Sequence, residues 1–291
     1  MHNPGSVSGF FWMILICTLW STAGVVSRQL ESAASFEVTF WRSFFCGLTL
    51  VLVLAVQKGP VGLVRLVRSM GLPGLLSGLF WATMFTCFMV AIQLTSVTNT
   101  LLIVSLAPLF AAILARWILG EPISRVTAIS ILVAGIGLWW MLREGLSGDG
   151  LLGVVIALGT PIAAASNLVL LRRFRGGVSL IPAVMLGGIF SALLMLPLIF
   201  PLRATESDLA WLAFLGVFQL AVPCSLMVWL SRYLPAQEIA LLSLFEVVLG
   251  PIWAWLWGGE VITVVTLQGA GLILGALILN TVSRQTIPGS R

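Results

Sequence analysis

The residues best placed to do chemistry in this chain are two charges set in apolar surroundings. Glu246 lies near the middle of 240–257, ALLSLFEVVLGPIWAWLW, a run long and apolar enough to cross a bilayer. Arg42 lies in a second such run, about 7 Å from its outer end at the rise of an α-helix, on a face shared with Thr39, Cys46 and Thr49. A charge at the centre of a transmembrane helix costs about 2.5–3.5 kcal/mol on insertion scales, so it belongs in a bundle interior or a wet cavity. Two chemistries are open to this pair. The charges can be the poles of a zwitterion site, or Glu246 can carry a proton. The alternative is a structural ion pair that pins one helix to another, with Arg42 reaching inward to Glu246 or snorkelling outward.

Around these charges the helical spacing sets further candidates. Ser243, Gly250 and Trp253 share a face with Glu246. Cys17, Trp20, Gly24 and Ser27 form one stripe in the first apolar run, and Ser77, Trp81, Phe85 and Phe88 another in the third. Aromatic walls with a few polar groups suit a cavity for apolar or aromatic ligand side chains, and they equally suit ordinary packing. Trp20 and Trp81 sit too near mid-helix for the interfacial belt, which takes Trp117, Trp139, Trp140 and Trp257. Asn167 and Gln219 are embedded amides that can bind substrate or simply bridge helices. Pro108, Pro161, Pro223 and Pro251 interrupt hydrogen-bond ladders and free carbonyls that can line a cavity, as gating kinks or as static bends.

No catalytic residue, metal ligand set or cofactor is expected. Cys17, Cys46, Cys87 and Cys224 all fall in apolar runs with no C-x-x-C pair, and the sole histidine is His2. An intramembrane serine protease needs an embedded His or Lys base, which is lacking, and an aspartyl type needs embedded aspartates, whereas Asp149 and Asp208 are read as loop residues. Charge rings or repeated carbonyl filters of a channel are not visible either, and there is no nucleotide-binding P-loop.

These residues need elements that span a membrane. Hydrophobic residues make up 59% and charged residues 9%, against about 25% charged in a soluble globule. The chain is expected to be all-α and polytopic, with apolar runs near 10–27, 37–56, 71–92, 98–117, 126–142, 150–171, 180–200, 209–231, 236–257 and 262–282. With the N-terminus in the cytoplasm, the inner segments collect Lys58, Arg65, Arg68, Arg116, Arg125, Arg172, Arg173, Arg175, Arg232, Arg284 and Arg291. The outer ones hold only Arg28, Arg143 and Arg203. That bias puts both termini inside, and no nucleic-acid partner follows from the net charge of +5.

The chain also repeats itself. APLFAAILARWILGEPIS from Ala107 aligns with EVVLGPIWAWLWGGEVIT from Glu246, which sets Glu121 opposite Glu260 and Ala107 opposite Glu246. Residues 1–145 and 146–291 then form two five-helix halves. Five is odd, so the second half enters the membrane inverted, an architecture of secondary transporters with a midplane site. G-x-x-x-G spacings at Gly74–Gly78 and Gly271–Gly275 permit close helix contact without establishing a dimer.

With ten runs in a five-plus-five duplication, LWSTAGVVSR, FWRSFFCGLTL, APLF…LGEPIS and LSLFEVV…GGEVIT resemble the EamA family of the drug/metabolite transporter superfamily over essentially the whole chain. Val247 stands where that family often has proline. The resemblance implies export of small metabolites across the inner (plasma) membrane, amino acids prominent among them, with YddG-type exporters as the nearest model. Other small organic solutes, cationic drugs or a passive pore are the alternatives. The partners expected are the lipid bilayer, a small-molecule substrate and protons coupled through Glu246. The site residues expected are Glu246, Arg42, Trp20, Trp81, Phe85, Ser243 and Asn167.

Overall fold

In a computed structural model of the chain, residues 6–145, 150–174, 180–230, 233, 239 and 242–285 are described, and among them there are helices and no strands. In chain order the helices are α1 (Ser6–Ser21), α2 (Ala23–Ser27), α3 (Ser35–Ser69), α4 (Gly71–Leu94), α5 (Val97–Val104), α6 (Ala107–Ile118), α7 (Arg125–Gly145), α8 (Gly150–Arg173), α9 (Leu180–Met195), α10 (Glu206–Phe214), α11 (Val222–Leu230), α12 (Leu244–Trp257) and α13 (Val264–Gln285). A π-helical turn, Leu215–Ala221, joins α10 to α11. Seven helical stretches are long and apolar enough to cross a membrane. They are Gly9–Ser27, Ser35–Ser69, Gly71–Leu94, Val97–Ile118, Gly150–Arg173, Ile181–Leu198 and Glu206–Leu230, with shorter apolar helices at Arg125–Trp140, Leu244–Trp257 and Val264–Asn280. Large exposed apolar side chains such as Phe11, Leu52, Leu132 and Leu152 would be a liability in water. Facing lipid tails they need no cover.

Several expected runs prove to be divided, and local chemistry explains where. The first breaks at Thr22, between α1 and α2. There the hydroxyls of Ser21 and Thr22 donate to the carbonyls of Thr18 and Leu19, at 2.8 and 2.7 Å, competing with the backbone ladder. The fourth breaks at Ser105–Leu106 between α5 and α6, where Pro108 has no N–H for the Val104 carbonyl. The second run is longer than expected. Instead of stopping at 56 it continues as α3 to Ser69, swivelling at Gly59, whose φ of 71° suits glycine, before Pro60.

α3 is approached closely by two glycine-bearing segments. On one side α9 approaches closely enough that a Cβ on Gly188 would lie 2.8 Å from the Gly47 nitrogen and 2.9 Å from the Ser43 oxygen. On the other, a Cβ on Gly216 of the π turn would lie 2.7 Å from the Arg42 oxygen. Ser43, Ser191 and Thr86 add a hydroxyl chain across α3, α9 and α4, each link 2.8 Å. One core cluster joins α3, α4, α9 and α11 through residues such as Leu50, Phe85, Leu186 and Cys224. A second joins α6, α7, α8 and α13.

Asp208, expected in a loop, is instead fully buried in the first turn of α10. It completes a capping box with Thr205 and accepts from the Glu31 and Ser32 amides at 2.8 and 3.2 Å. Buried Glu37 acts likewise, accepting from the Arg203 and Ala204 amides at 3.0 Å each. Carboxylates that satisfy otherwise bare amides explain why these acids leave the solvent. His2, Arg175, Arg232, Arg291 and Asp149 lie outside the described residues.

Candidate functional site

Arg42 is reached about 10 Å into α3, counting from Ser35 at 1.5 Å per residue, and only 2% of it is exposed. Its Nε donates to Gln219 Oε1 at 2.9 Å, and its guanidinium carbon lies 5.7 Å from the centre of the Phe88 ring. Its Nη1 is buried without a partner. A guanidinium held by one nitrogen, with another nitrogen bare, is a ready fork for an incoming carboxylate.

Gln219, read from the sequence as a substrate-binding amide or a helix bridge, is the residue that holds Arg42. The π turn brings it there. Pro223 lacks the N–H that would bond the Gln219 carbonyl, and the ladder widens so that the Val222 amide donates to the Val217 carbonyl five residues back. The Gln219 amide nitrogen then donates to the Trp20 carbonyl at 3.1 Å, just before the break in the first span. One side chain therefore ties α1, α3 and the π turn together.

The expected Arg42–Glu246 ion pair is not formed. Among the described residues the ion pairs are Arg28–Glu260 and Arg172–Glu121, each 3.2 Å. Arg42 Nε is instead taken by Gln219, and Glu246 sits in the first turn of α12. The two charges still feel each other electrostatically. Glu246 begins α12 after a break at Ser243, whose hydroxyl donates to the Ile239 carbonyl at 2.8 Å. The Cys17 thiol donates to the Leu242 carbonyl at 3.4 Å, and Trp253 Nε1 donates to Ser21 Oγ at 3.0 Å, so α1 is stitched along α12.

The remaining candidates divide into two groups. Trp20 faces Cys224 and packs against the α3–α4–α9 core, as do Trp81 and Phe85, whose rings lie 5.5 Å apart. Trp81 Nε1 is buried without a partner. Cys46, one turn along α3 from Arg42, belongs to the same cluster. Asn167 meets α4 one turn before Trp81. Its Oδ1 accepts from Ser77 at 2.7 Å, bridging α8 to α4.

The broken helices correspond. The α5–α6 break and the start of α12 fall within two residues of the register that sets Ala107 opposite Glu246. Both second segments also end alike. Gly120 and Gly259 have φ of 72° and 68°, and the Glu121 and Glu260 amides close onto the Ala115 and Ala254 carbonyls at 3.3 and 3.0 Å. This glycine-terminated cap points the following carboxylate out of the helix end. Glu260 uses it to accept from the Val97 amide at 2.8 Å as well as to pair Arg28, whereas Glu121 pairs Arg172.

A helical membrane-spanning fold with discontinuous helices and an embedded cation is that of a multi-pass carrier. The model of the EamA-like transporter family matches residues 7–143 and again 151–282, and the chain belongs to that family. It is 26% identical over 272 residues to an "Uncharacterized transporter" of Archaeoglobus fulgidus, covering 92% of this chain and 94% of that one. A solved structure titled "Crystal structure of protein" shares the fold, with a TM-score of 0.68 and 16% identity over 97% of this chain and 99% of that one.

Proposed function

We propose that this transporter exports amino acids with apolar or aromatic side chains across the plasma membrane by alternating access. The observation that carries the reading is the bare, buried Nη1 of Arg42. A substrate carboxylate takes that donor, the ammonium group turns toward Glu246, and Trp20, Trp81 and Phe85 receive the side chain. Because Arg42 is closed off in this conformation, substrate reaches it only when the surrounding helices part.

Ten spans in two inverted halves, residues 1–145 and 146–291, with both termini inside, complete the proposal. The double family match supports the duplication. So do the paired Gly-Glu caps. Arg28 and Arg172 each lie 21 residues past the start of a match, 28 from 7 and 172 from 151, and each grips the other half's Glu. These cross-half ion pairs sit at opposite ends of the Val97–Ile118 span, where a carrier needs its two gates.

The test is counterflow in proteoliposomes with the purified protein and a panel of amino acids, sugars and quaternary cations. Trans-stimulated exchange of leucine or phenylalanine is the expected result. Failure of every amino acid removes the substrate proposal. Glu246→Gln then separates the roles of that carboxylate: retained exchange with loss of proton-driven accumulation identifies a proton carrier, and loss of both identifies a binding or structural group.

A further inference from the structure

The end of α3 carries a feature outside the proposed substrate site. By Lys58 the helix has risen about 35 Å from Ser35 at 1.5 Å per residue, which exceeds a hydrocarbon core of about 30 Å. The swivel at Gly59 therefore falls at headgroup depth, and the last turns run from Pro60 to Ser69. Leu63, Leu66 and Val67 turn inward onto the core cluster that contains Met70. The opposite face presents Val61, Val64, Arg65 and Arg68, at i, i+3, i+4 and i+7. Together with Pro60 these line an open hollow of about 440 Å³.

We infer that this hollow binds one acidic phospholipid, its phosphate held between Arg65 and Arg68 and its acyl chain laid on Val61 and Val64. Two observations fix the class of ligand. Arg65 and Arg68 are exposed and neither belongs to an ion pair among the described residues. No Asp or Glu lies between Glu37 and Glu121 in the sequence to supply one locally. Val61 is 73% and Val64 50% exposed beside them, with Val56 at 87% one turn before the swivel. A purely aqueous anion has no use for that valine strip, and a neutral lipid has none for the two guanidinium groups. An amphiphile with an anionic head uses both. The inference does not depend on what the protein carries.

Native mass spectrometry of the detergent-purified protein, titrated with phosphatidylglycerol or phosphatidylcholine of identical chains, tests it. A first phosphatidylglycerol should be retained at about tenfold lower concentration than phosphatidylcholine, in keeping with two basic contacts at a membrane surface. Arg65→Gln with Arg68→Gln should abolish the preference, while Arg125→Gln, at another helix end, should leave it intact. A photoactivatable phosphatidylglycerol gives a second readout on the unaltered chain and should label the peptide spanning 58–70. Equal retention of the two lipids, labelling confined to other peptides, or displacement of the lipid by millimolar inorganic phosphate alone would overturn the proposal.

Discussion

Arg42 shows how a charge is kept in an apolar bundle with no ion-pair partner among the described residues. The Gln219 amide accepts from Nε while its own nitrogen is spent on Trp20. Replacing Gln219 with leucine should therefore strip the guanidinium of its acceptor. Hydrogen bonds to charged groups contribute about 1.5–3 kcal/mol, and a loss of about 2 kcal/mol is expected in a reversible unfolding titration in detergent micelles. Arg42→Lys keeps the charge but loses the planar fork. Its expected signature is a KM for amino-acid exchange raised at least about tenfold, equivalent to one lost charge-assisted contact, beyond its effect on stability. An unaltered KM would take Arg42 out of the substrate site.

At the scale of elements, two structures bear on the movement proposed for the halves. The first is the pair of ion pairs. Arg28–Glu260 is reinforced by the Val97 amide, and Glu260 is only 9% exposed, whereas Arg172 and Glu121 are 42% and 49% exposed with no such reinforcement among the described residues. Exposed pairs contribute little, about 0–1 kcal/mol, so the Arg172–Glu121 end should part more readily. Glu260→Gln should raise thiol labelling of a cysteine introduced near Val97 several-fold, and Glu121→Gln should change labelling at either end far less. Equal effects would mean that the two ends are energetically alike. The second structure is the glycine approach of α9 to α3. Gly188→Ala places a methyl group against backbone and should cost about 1–3 kcal/mol, the usual range for overpacking. A melting curve of the purified protein reads it directly.

Across the whole molecule, the sequence revealed what depends on composition and periodicity. The membrane class, the apolar runs and the embedded Glu246 and Arg42 all follow from local patterns, and the internal correspondence of Glu121 with Glu260 reappears as two matching glycine caps. What it hid depends on contacts between distant segments. Gln219 is 177 positions from Arg42, and a π turn shifts its direction away from the one a regular helix predicts. Asp208 looked like a loop acid because nothing near it in sequence shows that the Glu31 and Ser32 amides would come to it. The divided first and fourth spans were marked by hydroxyls and a proline, yet whether such residues bend or break a helix is settled by what packs around them. Gly24 illustrates this, since its missing Cβ lets α2 lie directly against Val97.

The widened turn at 215–221 has one more consequence. A π segment is an α-helix that has absorbed a surplus residue without changing the faces its two ends present. Excising Gln219, together with Pro223→Ala, should let the turn close to ordinary α-helical bonding with α10 and α11 still facing their present neighbours. Excising Ser225, inside regular helix, should instead rotate the remainder of α11 by about 100°, the angle of one residue. In an otherwise apolar membrane helix, the amide that holds Arg42 would then be a detachable part, carried on a turn that can lose it and remain a helix.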